Sequence, residues 1–584
     1  MRLPKLEPET QFLLVAAAVG AAGALGNRVF REAIGLSADL FREAQGLVEP
    51  AHPFFGRLAL VLVPVLGGLA IGILSRLVRR DIGGYAMPSF LETVNLKDAR
   101  LSVRETLLRT LSAAITLGSG GSAGVEGPVA SLGGGIGATI ARTRHLVGER
   151  LQMMVACGSS AAIAAAYGAP IAGVFFAQEI VLAGNYDLQN FVRVVVASGT
   201  ATVVARAMSG DEPLFEVEAF QIESGWEIAS YLLLGLTCGV LAAAFSKVFY
   251  RAEGFFAGMS FPKILKPAFG GLVVGLIALA YPQVLGDGAE FMQELLHKPE
   301  YESMVGDVLV LFVLLAAKVL ATSATLGSGG GGGVFGPSLF LGATLGAATG
   351  ALAQHFLPEA TGLPGHYAIV GMGAFLGGAT RAPLTAIFLV FEMTGSSSTA
   401  VLPTLVAVAA AIYVARRFEP NSIDEMGLAL RGIHLKAGRE ERTLTSVKVG
   451  RAMRRDFDTV PADTPAPRLQ ALITGSRSTS FVVVDGKDHM VGILTLQDLR
   501  TLDERTAEEL GPLAIAADFA ERDVVTVFPD ETLADALRRM DRRGYRQLPV
   551  VTRDDPHRVI GLIERRHVIA AYQRALPGSE GPGG

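Results

Sequence analysis

Residues 118–128 read GSGGSAGVEGP, and residues 327–337 read GSGGGGGVFGP. Both stretches keep the frame G-S-G-G-x-x-G-V-x-G-P, and an apolar run rich in Ser or Ala leads into each of them. A frame of this length that occurs twice indicates that the chain contains two copies of one unit. Apolar segments that Gly and Pro interrupt at matching positions of two halves are typical of a transporter-type binding site inside a membrane.

A second pair of matching segments extends the repeat. APIAGVFFAQE begins at Ala169 and APLTAIFLVFE begins at Ala382, and each segment ends in one carboxylate, Glu179 or Glu392. The two halves therefore share a Gly-rich frame and a Pro-started apolar segment in the same order. This order predicts a duplicated membrane domain.

The composition excludes several classes of protein. Of the 584 residues, 50% are hydrophobic and only 18% are charged, whereas about a quarter of the residues of a soluble protein are charged. The formal net charge of −4 gives no indication of nucleic-acid binding. The nine His residues lack metal-ligand spacing, and the sequence has no nucleophile elbow and no Walker-type phosphate loop. We therefore predict a multi-pass membrane protein with no metal site that is not an enzyme.

Apolar stretches recur up to residue 433, and several fall short of the roughly 20 residues that a full membrane span needs. Many are broken by Gly or Pro, which a membrane tolerates only where the backbone lines a cavity or is buried in protein. The predicted fold class is an all-α polytopic membrane domain of full and partial helices, followed by a cytoplasmic α/β unit. Basic residues mark the cytoplasmic side, so we expect both termini there: Arg76, Arg79 and Arg80 follow the second span, and Arg416, Arg417 and Arg431 follow the last.

The chain after residue 433 contains a second internal repeat, about 67 residues in period. TVPADT at 459–464 and TVFPDET at 526–532 are each followed by a helix-like run and then by strand-like runs. This part resembles a pair of CBS domains. The predicted division of the chain is a membrane domain at 1–433, a linker at 434–447, CBS domain 1 at 448–505, a linker at 506–519, CBS domain 2 at 520–576 and a disordered tail at 577–584.

Glu126 is the candidate for the central chemistry. It lies between glycines directly before Pro128, and Pro favours the first turn of a helix. The start of a helix presents free N–H groups and a partial positive charge, so it holds anions. The anion here is either the carboxylate of Glu126 itself or a passing ion, and protonation of Glu126 would free the site. The pattern predicts a gated anion pathway, or one coupled to protons; the alternative is that the glycines serve only close packing.

The sequence resembles the CLC family of chloride channels and transporters across residues 10–433, because GVEGP is similar to the family's GREGP and GVFGP to its GIFAP. The resemblance implies a homodimer in the lipid membrane, with one pathway per subunit for chloride or a similar small anion, and two halves of opposite topology. It also implies that Glu126 is the external gating glutamate. The residues matched to anion binding are Gly84, Tyr85, Ala86, Gly124, Val125, Gly127, Val334 and Phe335.

The sequence departs from the family where the inner end of the pathway is expected. The family's GSGIP is replaced by a segment with Tyr85 in place of the serine, and the family's central tyrosine falls on Asp424. Tyr85 either supplies its hydroxyl to the anion or only packs at a helix start. Asp424 is either an inner gate beside the anion path or a solvated acid at the cytoplasmic end of the domain. The arginine of GREGP is also replaced, by Val125.

The sequence also departs from the family at a position matched to proton transport. Exchangers of the family often carry an internal glutamate just after the position matched to Glu179, and this chain has Ile180 there. We therefore expect weak or absent proton movement against an anion gradient. The residues proposed for a proton pathway, should one exist, are Glu126 and Glu179.

One half of the CBS pair carries a ligand signature. The segment G-h-x-T-x-x-D, which suits a ribose, fits residues 492–498 with Thr495 and Asp498, and the second copy has Glu564 and His567 instead. This predicts one adenine-nucleotide site as a regulatory ligand site and no other cofactor; the alternative is a structural dimerisation module. Two alternatives stay open for the whole protein: a nucleotide-sensing membrane regulator with a degenerate pore, and a transporter for fluoride or nitrate.

Overall fold

The structure is a computed structural model. It describes residues 7–46, 53–184, 188–217, 220–297, 304–395, 398–435, 444–445, 447–475, 478, 480–495, 511–543 and 545–575. The chain divides into two compact units, Met1–Leu435 and Lys436–Gly584. The first unit is helical, and the second combines helices with short strands.

The first half of the membrane unit contains both full-length and short helices. Its elements are α1 (Pro8–Gly46), α2 (Pro53–Val78), β1 (Gly84–Tyr85), α3 (Met87–Leu96), α4 (Val103–Gly118), α5 (Glu126–Thr143), α6 (Glu149–Tyr167), α7 (Pro170–Phe176) and α8 (Leu188–Ser209).

The second half repeats the succession of full-length and short helices, but its strand lies later, between its fourth and fifth helices. Its elements are α9 (Glu227–Gly258), α10 (Lys266–Ala278), α11 (Ala289–His297), α12 (Met304–Gly327), β2 (Gly331–Gly332), α13 (Phe335–Phe356), α14 (Pro364–Thr380), α15 (Pro383–Thr394) and α16 (Val401–Phe418), and the unit closes with α17 (Ile423–Ala429).

Local sequence explains where the broken helices begin and end. Pro occupies one of the first two positions of α3, α7, α10 and α15, where its missing N–H has no intrahelical partner to lose. Helices α6 and α14 end at matching positions, on Gly168 and Arg381, which both adopt the left-handed conformation with φ of 65° and 63°. The two Ala-Pro segments therefore restart the chain in a new direction directly after a helix end.

Helices that pack together in the first half also pack together in the second. An ideal Cβ placed on Gly133 would lie 2.1 Å from the carbonyl oxygen of Gly158, across the contact of α5 with α6. In the contact of α13 with α14, a Cβ on Gly342 would lie 2.2 Å from the carbonyl oxygen of Gly371. Within the helix bodies, the glycines thus serve close backbone approach, as small residues do in membrane helices.

In the described part of the chain, seven helices are long and apolar enough to cross a membrane, and shorter apolar helices accompany them. The shorter ones include Lys266–Ala278 and Pro383–Thr394. The predicted class, a polytopic helical membrane domain followed by an α/β pair, is confirmed.

The second unit contains two related modules. The strand–helix block of the first consists of β3 (Thr459–Pro461), α19 (Ala466–Gly475), β4 (Ser480–Val484) and β5 (Met490–Thr495), and that of the second consists of α21 (Leu533–Arg543), β6 (Gln547–Val551), β7 (Val559–Glu564) and α22 (Arg565–Ala575). A short helix precedes each block in the chain, α18 (Val449–Ala452) before the first and α20 (Ala516–Phe519) before the second. Strand β4 pairs parallel with β3 and antiparallel with β5, and β6 pairs antiparallel with β7.

Each core of this unit includes a short helix that lies next to the other block in the chain. Val449 and Ala452, placed in the first domain, are part of the core that surrounds β6 and β7. Ala516, placed in the linker 506–519, is part of the core that surrounds β4 and β5. Each module therefore completes its core with a short helix that lies outside its own strand–helix block. The predicted tail, 577–584, lies outside the described residues.

Candidate anion pathway

The two copies of the repeated frame face each other. The backbone N–H of Gly124 donates to the carbonyl of Gly333 at 2.8 Å, and the N–H of Gly333 donates back to the carbonyl of Gly124 at 2.7 Å. These hydrogen bonds lie directly before α5 and α13, so the starts of both helices meet. The structure thus brings Gly124, Val125 and Gly127 together with Val334 and Phe335.

The remaining residues matched to anion binding, Gly84, Tyr85 and Ala86, are connected to the two frames by backbone pairing. Strand β1 pairs parallel with β2, with Gly84 opposite Gly331 and Tyr85 opposite Gly332. Ala86 follows as the buried N-cap residue of α3. All the residues that the sequence matched to anion binding therefore lie on segments that meet at the two frames.

Glu126 is the first residue of α5, and only 1% of its surface is exposed. Its Oε1 accepts a hydrogen bond from the hydroxyl of Tyr167, while its Oε2 is buried and accepts none from the described residues. An ideal Cβ on Gly336 would lie 3.4 Å from Oε1. The carboxylate therefore lies against the start of α13, where a helix favours negative charge.

Glycine is required where this carboxylate lies. A Cβ on Gly124 would come within 2.1 Å of Glu126 Oε2, and a Cβ on Gly333 within 3.0 Å of the same atom. A side chain at either position would take the space of the carboxylate. The frame thus shapes a pocket between two helix starts, which the carboxylate of Glu126 fills in this structure.

Sequence reasoning missed Tyr167, Asp287 and Lys318 near this pocket. Tyr167 is the last residue of α6, shortly before the repeated Ala-Pro segment. This position is the only sequence feature that could have identified it as a functional residue. The Lys318 ammonium is fully buried, donates to the carbonyls of Val284 and Gly286 at 2.9 Å each, and lies 4.7 Å from the ring centre of Phe340.

Asp287 lies near both Lys318 and Glu126, and its carboxylate is within electrostatic reach of both. A Cβ on Gly336 would lie 3.3 Å from the Cβ of Asp287 and 3.4 Å from Glu126 Oε1. A second carboxylate and a buried cation therefore stand beside the candidate gating residue.

Tyr85 and Asp424 form a pair at the other end of the site. The hydroxyl of Tyr85 donates to Oδ1 of Asp424, and the ring packs edge-on against Phe249 with 5.7 Å between ring centres. Only 2% of Asp424 is exposed, so the interpretation of Asp424 as a solvated acid is wrong. Tyr85 both packs and donates a hydrogen bond, and its partner in this structure is Asp424.

Comparison with known proteins identifies the family. The family model described as the voltage gated chloride channel matches residues 67–416. The chain belongs to this family. A CBS domain model matches residues 449–504 and 516–574. Membership makes the chain a multi-pass membrane protein of a channel and transporter family, and a CBS pair follows the membrane unit in the chain.

Two relatives and one solved structure illustrate the likeness to this chloride channel family. A putative ClcB-like chloride channel protein of Ralstonia nicotianae is 38% identical over 402 residues, which are 68% of this chain and 91% of the relative. Chloride channel protein CLC-f of Arabidopsis thaliana is 30% identical over 568 residues, 85% of this chain and 71% of the relative. A crystal structure of a slow cyanobacterial Cl⁻/H⁺ antiporter has a TM-score of 0.65 and 23% identity, and the match covers 73% of this chain and 99% of that one. This last likeness shows the fold.

In this chloride channel fold, Glu179 and Glu392 each cap the start of a helix in the opposite half of the membrane unit. Glu179, on a π-helical turn after α7, accepts from the N–H of Leu384 at 3.0 Å and from the N–H and hydroxyl of Thr385 at 2.8 and 2.7 Å. Glu392, on α15, accepts from the N–H groups of Ile171 and Ala172 at 3.0 and 2.9 Å. Each glutamate thus binds the start of the Pro-led helix of the opposite half. This geometry favours a capping role for Glu179, and its role as a proton carrier stays a prediction.

The predicted nucleotide residues of the CBS pair are only partly described. Thr495 is the last residue of β5, and Asp498 lies outside the described residues. In the second module, Glu564 ends β7, and its N–H donates to Nδ1 of His567 at 3.3 Å. Burial lowers the pKa of His567 below its usual value, which favours the neutral ring that can accept this hydrogen bond. The two copies therefore present different chemistry at the matching turn.

Proposed function

We propose that the chain transports chloride or a similar small anion across a membrane, through one pathway per subunit that Glu126 gates. The observation that carries the proposal is the carboxylate of Glu126 between the starts of α5 and α13. A carboxyl group held at that place supports a pocket that suits negative charge, and a free anion would compete for it. The names of the relatives, which are chloride channels and exchange transporters, support this function.

Assembly and orientation are part of the same proposal. We infer a homodimer with both termini in the cytoplasm, because the family resemblance implies the dimer. The orientation rests on basic residues that follow α2 and α16, since such residues favour the cytoplasmic side. Glu126 then faces the extracellular end of the pathway, and Asp424 faces the cytoplasmic end.

Reconstitution into liposomes tests the function. We expect efflux of chloride when the electrical potential is clamped, and comparison with nitrate and fluoride gives the anion preference. A pH-sensitive dye inside the same liposomes reports proton movement, which we expect to be weak or absent because Ile180 replaces the internal glutamate of many exchangers. A folded protein that moves none of these anions would favour the alternative, a nucleotide-sensing regulator with a degenerate pore.

A nucleotide site in the CBS pair is the regulatory part of the proposal. We expect the full-length protein in detergent to bind one adenine nucleotide per subunit, measured by titration calorimetry with ATP, ADP and AMP. Asp498→Ala should remove the binding heat, because a carboxylate can accept hydrogen bonds from two ribose hydroxyls and Ala accepts none. The matched control is His567→Ala, which should bind as the unaltered protein does. Loss of heat in the control alone, or no heat with any nucleotide, would contradict the prediction.

A further inference from the structure

Both ends of the candidate pathway contain a buried carboxylate held by a phenol. Tyr167 donates to Glu126, and Tyr85 donates to Asp424. In each pair the second carboxylate oxygen is buried and accepts no hydrogen bond from the described residues. Glu126 is also within electrostatic reach of Tyr85. The Asp424 end therefore repeats the arrangement of the Glu126 end. The family residues matched to Tyr85 and Asp424 are a serine and a tyrosine, which carry hydroxyl groups and no carboxylate.

The backbone fixes the position of Tyr85 and Asp424 beside the anion-binding segments. Pairing of β1 with β2 ties Tyr85 to the residues that lead into α13. The hydroxyl of Tyr250 donates to the carbonyl of Ile423 at 2.7 Å, and a capping box of Ser422 and Glu425 starts α17. The pair is thus held on both sides and does not depend on a mobile surface loop.

Among the residues that the structure describes, no cation forms a hydrogen bond or an ion pair with the carboxylate of Asp424. Tyr85 from β1, Tyr250 from α9 and Glu425 from its own helix face it. Of the other charges on the packed elements, Glu92 on α3 pairs with Lys97 and Arg431, Lys247 on α9 donates to the Phe418 carbonyl, and Arg381 after α14 donates to the Glu419 carbonyl. Glu253 on α9 lies within electrostatic reach of Tyr250 and Arg431. A buried charge without a partner is costly, and a proton removes that charge.

One phenol has one proton to donate. While Asp424 is ionised, it holds the hydroxyl of Tyr85 by a charge-assisted hydrogen bond and repels an approaching anion. When Asp424 takes a proton from the cytoplasmic solvent, the repulsion ends and the hydroxyl of Tyr85 can turn to the anion. The ionised carboxylate and the anion therefore compete for the same O–H group.

We infer that Asp424 and Tyr85 form a proton-operated inner gate, which admits an anion from the cytoplasmic side only when Asp424 is protonated. This inference rests on the proposed anion transport. It adds to the pathway a second site of proton control, separate from Glu126, and that site uses a carboxylate where the resemblance led us to expect a hydroxyl group.

The test is chloride current through the full-length protein, recorded with the pH of the two membrane faces set separately. We expect the current to rise as the cytoplasmic pH falls. Asp424→Asn, which is neutral and of the same shape, should remove that dependence and leave the dependence on extracellular pH. Glu425→Gln is the matched control, because Gln preserves the capping box and should keep the response to cytoplasmic pH. Asp424→Asn with an unchanged response to cytoplasmic pH would overturn the inference.

A second variant separates a gating role of Tyr85 from packing. Tyr85→Phe keeps the ring and deletes the donor, so we expect apparent chloride affinity to fall about tenfold or more at acidic cytoplasmic pH. At alkaline cytoplasmic pH, where Asp424 holds the hydroxyl, the variant and the unaltered protein should agree. No loss at any pH would mean that Tyr85 only packs, and the same loss at every pH would mean that its hydroxyl binds the anion whether or not Asp424 is ionised. Either result would refute the gate. Absence of current in the unaltered protein at any pH would instead refute anion transport itself.

Discussion

Glu126→Gln should raise chloride flux at neutral pH by about tenfold or more and should remove most of its dependence on extracellular pH. The carboxylate of Glu126 occupies the pocket between the starts of α5 and α13, so in the proposed pathway it would compete with anions for that pocket. Gln has nearly the same shape but no charge, and it mimics the protonated side chain. Flux from liposomes, or current with the extracellular pH varied alone, measures the effect.

The companion variant is Tyr167→Phe. It deletes the hydroxyl that donates to Glu126 Oε1 and keeps the carboxylate, so flux should rise while the dependence on extracellular pH persists. The two variants therefore separate the charge of the gate from the hydrogen bond that holds it. A Glu126→Gln protein with the unaltered pH dependence would remove Glu126 from its role as the gate.

Local patterns in the sequence predicted much of the fold. Gly-Pro and Ala-Pro pairs mark where α5, α7, α13 and α15 begin, because Pro starts helices and Gly permits the approach of a second backbone. The repeated frame also marks the two segments whose helix starts meet in the structure. These features depend on a few neighbouring residues, so a sequence can display them without knowledge of the tertiary structure.

The partners of the functional side chains could not be predicted in the same way. Tyr85 and Asp424 are 339 residues apart, and Tyr167 and Glu126 are 41 residues apart. No periodicity links such pairs, because the packing of different helices brings them together. The sequence therefore identified Tyr85 and Asp424 as unusual, but their hydrogen bond to each other follows only from the fold.

The same limit explains the boundaries of the CBS pair. The sequence repeat was divided where its copies begin and end, which assigned Val449 to the first domain and Ala516 to a linker. Their apolar side chains are buried in the cores of the opposite modules. The sequence repeat is the same whether a short helix packs on its own module or on the other one, so the exchange cannot be predicted from the repeat.

The reciprocal caps lead to the second large effect, which concerns stability. Glu179→Ala should lower the thermal stability of the protein in detergent strongly, because it leaves the N–H groups of Leu384 and Thr385 without their acceptor. An unsatisfied buried donor costs about 1–3 kcal/mol, so the loss should be roughly 3 kcal/mol or more. Glu392→Ala should cause a smaller loss, because Glu392 accepts two hydrogen bonds rather than three and the bond from Ile171 is exposed.

Glu179→Gln distinguishes capping from proton transport. Its side-chain oxygen can still accept from the start of α15, so this variant should retain most of the stability and most of the anion flux. A proton carrier would behave differently, since Gln would abolish any proton movement while stability stayed unchanged. Equal thermal midpoints for Glu179→Ala and Glu179→Gln would contradict the cap. Because each half supplies the acceptor for the other half's helix, loss of either glutamate should loosen the contact between α7 and α15, the place where the two copies of the repeat hold each other.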